Sequence, residues 1–380
     1  MTRITHFGKF FPPHKGGIEQ VTSSLVCGTA SAGHEVEVIC FDIGRKQRVV
    51  REKGVDVRRF HPLFTVSSQP LSLRYLFECI REGRRSNLVH VHAPNLLAMA
   101  ACLLLTKKTK VVIHWHSDIL DKGLFGRLIR PIERLALRRA SQVIATSEPY
   151  SKGSTALARF KEKVTVVPLG IPSAGLDEPT ASPVLPAEVG DFARGRQIIL
   201  AVGRLVSYKG FDVLISAVKN IHADAAAVIV GEGPEYSRLS ALIAESALQE
   251  RVLLLGSADE QTLLELQQAA SVFCLPSTTR QEAFGVAIIE AMRAGLPVVA
   301  SDIKGSGVPW VNDHGKTGFN APPNDTEALA KAIDDVLSDA SFREQLAEGA
   351  RRRFREHFTE ERMIRQTLAL YSEILARGKA

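Results

Sequence analysis

Short apolar runs recur along this chain, each followed by a longer segment whose apolar residues return every three or four positions. This alternation predicts strands separated by helices. Residues 4–10, 35–41, 88–92, 110–114, 142–146 and 163–168 read as strands of one sheet, and residues 197–202, 226–231, 252–255, 272–275 and 297–300 as strands of another. Helices are predicted over residues 18–32, 95–106, 283–294 and 351–377. Strand–helix–strand units in series point to an α/β chain with two doubly wound, Rossmann-like sheets. Residues 171–195 carry four prolines and little periodicity and read as a linker. The expected organisation is a first domain over 1–170, a linker over 171–196, a second domain over 197–355, and a final helix over 356–380. Residues 45–85, where the period breaks down and arginines accumulate, read as surface loop and short helix.

Length and composition agree with two cores. The chain has 380 residues, 45% of them hydrophobic, enough for two domains of ordinary size. The longest wholly apolar run, residues 96–105, is too short to span a bilayer, and the start MTRITHFGKFF lacks the apolar core of a signal peptide. A cytoplasmic location is expected. The five cysteines stand singly in apolar surroundings, with no spacing that suggests metal or disulfides.

The net charge of +7 hides an asymmetry. Up to Gly170 there are 27 Lys and Arg against 13 Asp and Glu, a balance of +14; the remainder holds 21 against 28, a balance of −7. A basic half calls for an anionic partner. No zinc-ligand spacing or RNA-binding aromatic signature accompanies the charge, which argues against nucleic acid. The stretch KGLFGRLIRPIERLALRRA (122–140) places Leu124, Phe125, Leu128, Ile132 and Leu135 on one side. Arg127, Arg130, Arg134 and Arg138 form a ridge at helical spacing, with Pro131 as a candidate break. The ordinary reading is a helix packed on the sheet. A ridge facing an anionic membrane surface is compatible with it.

The strongest chemical signal is STTRQEAFGVAIIEAMRAG (277–295). It sets Glu282 and Glu290 around a glycine at a predicted helix start, with Gly295 and Pro297 as the stop. On one helix the carboxylates would lie roughly 12 Å apart along the axis and near the same face. That spacing suits sugar hydroxyls at either end of a nucleotide sugar, with its diphosphate at the free N–H groups near Phe284 and Gly285. Two exposed helix carboxylates are the ordinary alternative.

The run EAFGVAIIEAMRAGLPVVASD resembles the Glu-x7-Glu signature of the retaining glycosyltransferases of family 4, and the likeness extends over nearly the whole chain. It implies the GT-B fold, two Rossmann-like domains facing each other across a cleft. It implies transfer of a hexose from a nucleoside diphosphate sugar, GDP- or UDP-linked, to a lipid-linked or polysaccharide acceptor. Bacterial surface-polysaccharide mannosyltransferases are the members it resembles, through the variant loop GSGVPWVN (305–312), where most members have a Gly-Gly pair and a Glu.

Carried onto this chain, the resemblance implies His116 in WHSD as the histidine that approaches the transferred sugar, with His114, Asp118 and His92 as weaker neighbours. It implies Arg204 and Lys209 in GRLVSYKGFD as the cations that stabilise the departing diphosphate, and Glu282 as the fourth catalytic residue. Donor-binding positions are implied at Gly16, Gly17, Gly231, Glu232, Ala283, Phe284, Gly285, Val286 and Glu290. Taken alone, the Gly16–Gly17 pair is equally a simple turn. No cofactor and no essential metal are expected: Asp-x-Asp is absent from the sequence, and Arg204 and Lys209 supply the cationic charge. The expected site of action is the inner face of the cytoplasmic membrane. An inverting transferase or epimerase of the same fold, or a catalytically silent nucleotide- or anion-binding relative, remains the alternative.

Overall fold

The computed structural model describes residues 1–14, 16–42, 48–52, 54–66, 69–119, 123–173 and 185–377. The chain forms two compact units, one of Met1–Ile171 with Glu360–Ala380 and one of Pro172–Thr359. The first contains β1 (Arg3–Phe7), α1 (Gly17–Ser31), β2 (Glu35–Phe41), β3 (Arg48–Glu52), β4 (Val55–Phe60), β5 (Phe64–Val66), β6 (Gln69–Leu71) and α2 (Leu73–Arg85). It continues through β7 (Leu88–Ala93), α3 (Leu96–Leu103), β8 (Lys110–Trp115), α4 (Gly123–Arg139), β9 (Gln142–Ala145), α5 (Glu148–Gly153) and β10 (Val164–Val166). The second opens with α6 (Ala187–Ala193), β11 (Gln197–Val202), α7 (Phe211–Val218), β12 (Ala225–Val230), α8 (Tyr236–Glu245), β13 (Val252–Gly256), α9 (Glu260–Ala269) and β14 (Val272–Leu275). It closes with α10 (Val286–Arg293), β15 (Val298–Ser301), α11 (Val308–Val311), β16 (Gly318–Ala321), α12 (Thr326–Leu337) and α13 (Ala340–His357). The last helix, α14 (Glu360–Ala376), returns to the first unit and packs on α1.

The first sheet runs β10-β9-β8-β7-β1-β2-β4-β3, and the second runs β13-β12-β11-β14-β15-β16. Every pairing is parallel except β3 with β4 and the separate β5–β6 hairpin. Strands such as AAAVIV in β12 are buried throughout, as a parallel sheet covered by helices on both faces requires. Strand order reverses between β1 and β7 in one sheet and between β11 and β14 in the other. Loops leaving the carboxyl ends of those strands line the crevice where such sheets take ligands.

Residues 45–85 are not mainly surface loop. β3 and β4 extend the first sheet, because Val55, Val57 and Phe60 bury while the intervening arginines find carboxylates. Arg58 pairs with Glu37 and Glu78, Arg59 is buried and pairs with Glu52, and Arg81 and Arg85 pair with Glu82. The expected linker also needs correction. Val189 and Ala193, four residues apart, bury one face of α6, and Arg196 donates to the Phe192, Ala193 and Glu250 carbonyls. α4 is one helix across Pro131, which is exposed; the proline lacks the N–H that the carbonyl four residues earlier would otherwise accept. Among its described side chains Ile129, Glu133, Ala136 and Leu137 are buried, and Leu135 is exposed. The side chains of residues 123–125, 127 and 128 lie outside the description.

Candidate active site

In the second unit the ends of β11 and β14 bring Lys209 and Glu282 together. Lys209 Nζ donates to Glu282 Oε2 at 2.6 Å, with the side chains 13% and 10% exposed. Ser277, fully buried at the end of β14, donates through Oγ to the same carboxylate oxygen at 3.1 Å. The two loops are held in register by their backbones, since Thr278 N donates to the Tyr208 carbonyl at 2.8 Å. Gly210 has φ +67, and a Cβ there would lie 2.1 Å from the Pro276 carbonyl oxygen, so this close approach needs glycine. Burial draws the Lys209 ammonium pKa down, but Glu282, Tyr208 and Glu290 outweigh it and hold it above the usual lysine value.

α10 begins at Val286, three residues later than the pattern predicts, because Gly285 at φ +85 cannot continue a helix backwards. Glu282 therefore sits in the preceding loop, and the picture of two carboxylates on one helix face fails. Glu290 remains on α10. Burial pushes its carboxyl pKa up, while Arg293 and Lys209 pull it back. Lys209 thus feels both carboxylates through space. Ala283 and Phe284 are buried; the Phe284 ring packs edge-on to Phe358, which leaves only its backbone to face a ligand. Val286 is half-buried, and its N–H belongs to the first helical turn, which has no acceptor within the helix.

Arg204 and Glu232 are both exposed. Their loops meet through the backbone, where Leu205 N donates to the Glu232 carbonyl at 2.8 Å. A Cβ on Gly231, at φ +148, would lie 2.0 Å from the Gly203 carbonyl oxygen, so glycine is what allows the two strand ends to touch. Sequence reasoning missed the brace beneath Glu282. Ser306 donates to the Glu282 carbonyl, Gly307 N donates to the Ala283 carbonyl at 2.8 Å, and Arg280 Nε donates to the Gly305 carbonyl at 2.9 Å. The variant loop 305–312 is thus the support of the Glu282 loop. Its departure from the common pattern was the available signal.

In the first unit Gly16 is the N-cap of α1 and Gly17 its first residue. A Cβ on Gly16 would fall 2.2 Å from Glu19 Oε2. His116 follows β8, buried, with its backbone N–H on the Ala93 carbonyl and its Nε2 3.1 Å from His92 Nδ1. Burial lowers its pKa to about 3, so it is neutral at pH 7. Asp118 is structural: Trp115 Nε1 and Ser154 Oγ both donate to its Oδ1, at 2.7 and 2.6 Å.

Two family models match the chain, the Glycosyl transferase 4-like domain over residues 16–170 and Glycosyl transferases group 1 over residues 188–353. The D-rhamnosyltransferase WbpZ of Pseudomonas aeruginosa is 30% identical over 359 residues, covering 94% of this chain and 92% of the relative. The chain belongs to the family 4 glycosyltransferases. This glycosyltransferase is also 28% identical to O-antigen chain mannosyltransferase C of Escherichia coli, across 98% of its own length and 99% of the relative's. Among solved structures, a sucrose-phosphate synthase from Thermosynechococcus elongatus superposes with a TM-score of 0.77 at 22% identity, covering 99% of this chain and 100% of that one. Anabaena HepE in complex with UDP gives 0.75 at 21%, covering 98% and 100%. At these identities the likeness is one of fold, and it makes the glycosyltransferase a GT-B protein with two Rossmann-like units.

Proposed function

We propose that this glycosyltransferase moves a hexose, mannose-like, from a nucleoside diphosphate sugar to a lipid-linked or polysaccharide acceptor in surface glycan synthesis, with retention at the anomeric carbon. The observation that carries the reading is the buried Lys209–Glu282 pair at the strand-order reversal of the second sheet. When the sugar leaves, negative charge grows on the diphosphate; a lysine already fixed and charged stabilises it without reorganising. Arg204, exposed on the same loop, adds a second cation able to grip phosphate oxygens in pairs. These two supply the positive charge, so the proposed reaction has no essential metal. Glu282 and Glu290 accept from sugar or ribose hydroxyls, and the first turn of α10 offers N–H groups to phosphate. A neutral His116 offers the transferred sugar one acceptor or donor without charge.

The mannose-like donor is supported by the relatives' names, one a mannosyltransferase and one a rhamnosyltransferase. UDP and UDP-glucose were captured in HepE, which keeps both GDP- and UDP-sugars in the donor panel. Docking at the inner face of the cytoplasmic membrane is supported by the exposed Arg130, Arg134 and Arg138 on α4 and by an apolar surface of Leu63, Phe64, Leu73 and Phe77, each at least 58% exposed. Among the described residues no helix is long and apolar enough to cross a membrane. Incubating the protein with GDP-mannose, UDP-glucose and related donors plus a polyprenyl-diphosphate glycan, then reading the product's anomeric configuration by NMR, tests the reading. An inverted product, or no transfer from any donor in folded protein, would overturn it.

A further inference from the structure

Five histidines form a stack inside the first unit. The parallel registers pair His6 with His90 and His92 with His114, and the two-residue period of a strand puts all four on one face of β1, β7 and β8. His116 extends the stack beyond the end of β8, 4.1 Å from the His114 ring centroid. All five are buried. Sequence reading could not find this group, because its members come from three strands whose register no local pattern reveals.

The stack is under-bonded. His6 Nε2, His90 Nε2, both ring nitrogens of His114 and His116 Nδ1 are buried without a hydrogen-bond partner. Each such atom forfeits a hydrogen bond that it would make in water. Folded proteins leave few of them, and a cluster of several marks a place where a polar ligand such as a water or an ion can bind. We propose that His90, His92 and His114 form a three-histidine site for a divalent transition metal of the imidazole-preferring group, zinc being the reference ion.

Among the described residues these three are the one group of three or more His, Cys, Asp or Glu able to hold a metal, with one nitrogen from each lying within 4.8 Å of the others. Zinc–nitrogen bonds of roughly 2.0–2.1 Å in a tetrahedral set would place the nitrogens about 3.4 Å apart. Their ring centroids are 4.6, 5.5 and 5.8 Å apart, so ring rotation with small shifts supplies the closure. The three differ in what they must give up. His114 makes no ring hydrogen bond, and His90 has Nε2 free. His92 surrenders one of two bonds, to His6 or to His116.

Metal-bound imidazoles take a partner on their other nitrogen that fixes the tautomer, and two of the three ligands, His90 and His92, have one here. Tyr371 of α14 lies against His90 Nδ1, and His6 Nδ1 stands 3.1 Å from His92 Nε2. Three imidazoles leave one tetrahedral position open. Arg204 and Lys209, which carry the diphosphate chemistry proposed above, belong to the other unit.

The test uses full-length protein stripped with a chelator and titrated with cobalt(II), whose visible absorption reports a tetrahedral site. One equivalent should give an intense visible band set, abolished by one equivalent of zinc, as expected for a four-coordinate nitrogen-rich site. His114→Leu, which removes the ligand without adding a buried polar atom, should lose the band and weaken cobalt binding at least tenfold. Thr146→Val, buried in the same unit but outside the stack and its hydrogen bonds, should keep it and controls for disruption of the core. Absence of the band in folded wild type, or its persistence in folded His114→Leu, overturns the proposal. If His114→Leu does not fold, a wild-type band that competes one-for-one with zinc and survives Thr146→Val but not His90→Gln sustains it. A band that survives both overturns it.

Discussion

Replacing Lys209 with Met separates what its charge does for the fold from what it does for the donor. The ammonium and the Glu282 carboxylate meet at 2.6 Å with both side chains nearly buried. At an effective dielectric near 20 their gross attraction is about 6 kcal/mol, offset by the cost of desolvating both ions. Deleting one partner removes the attraction and leaves the cost. Among the described residues Glu282 would retain only the Ser277 hydroxyl, and losses of about 3–5 kcal/mol are typical of such orphaned charges. Arg204 is exposed on the same loop without an ion pair among the described residues, so Arg204→Met should change stability by no more than about 0.5 kcal/mol. Both should lower turnover, each by about 2–4 kcal/mol of transition-state stabilisation.

The assay is urea unfolding followed through Trp310, the tryptophan of the second unit, beside single-turnover transfer on the same preparations. Lys209→Met should unfold at markedly lower urea than wild type, and Lys209→Met with Glu282→Gln should recover most of the loss because the orphaned charge is gone. Coincident curves for wild type and Lys209→Met, or a double variant no better than the single one, would refute the reasoning. Stability loss with undiminished turnover would confine Lys209 to a structural role.

Glu133 on α4 gives a pH prediction. Burial first, then Asp118, raise its carboxyl pKa from 4.5 to about 7, with Arg130 opposing. The folded form therefore holds a proton that the unfolded chain releases, so its contribution is present below about pH 4.5 and is lost as pH rises to about 7, up to about 3 kcal/mol. Glu133→Gln should flatten that slope in thermal melts between pH 5 and 8; an unchanged slope refutes it. Gly231→Ala should destabilise the second unit by more than about 2 kcal/mol, since the new Cβ meets the Gly203 carbonyl in a backbone region unfavourable to alanine; a wild-type urea midpoint would contradict this. His116→Ala should lose transfer and keep affinity for the bare nucleoside diphosphate by calorimetry, and loss of nucleotide binding in folded protein counts against its placement on the sugar. Changing Arg130, Arg134 and Arg138 to Gln should reduce co-flotation with anionic vesicles at low salt, each residue contributing about 1 kcal/mol near the bilayer; equal recovery of variant and wild type sinks the electrostatic part.

The alternation of the chain made most strands of both sheets legible, because buried parallel strands are nearly continuous apolar runs, while β3, β4 and β16 escaped it. The loops at the ends of β11 and β14 were legible for a different reason: a basic residue beside glycine directly after a strand has few structural explanations. Glu282 was misplaced by helix periodicity, which counts apolar returns and cannot see that Gly285 adopts a positive φ. α6 hid among prolines, since seven residues give too few turns for a period to show. The histidine stack was invisible because His6, His90 and His114 become neighbours only through strand register.

Charge shows most clearly why composition alone overreaches. The first half carries a balance of +14, and residues 45–85 looked like a basic surface. In the fold, Arg58, Arg59, Arg81 and Arg85 turn inward or sideways onto Glu37, Glu52, Glu78 and Glu82, and Arg3 joins Glu37 and Glu82 at the start of β1. A charge neutralised by a carboxylate a few ångströms away contributes little to the potential beyond a Debye length. The field available to an anionic partner therefore comes from residues such as Arg74, Arg130, Arg134 and Arg138, which stay exposed. Arg74 sits between the exposed Leu73 and Phe77, so attraction to lipid headgroups and burial of apolar side chains would act at the same place on α2. Salt weakens the first and leaves the second, and vesicle binding by this unit should accordingly fall with ionic strength to a plateau above zero.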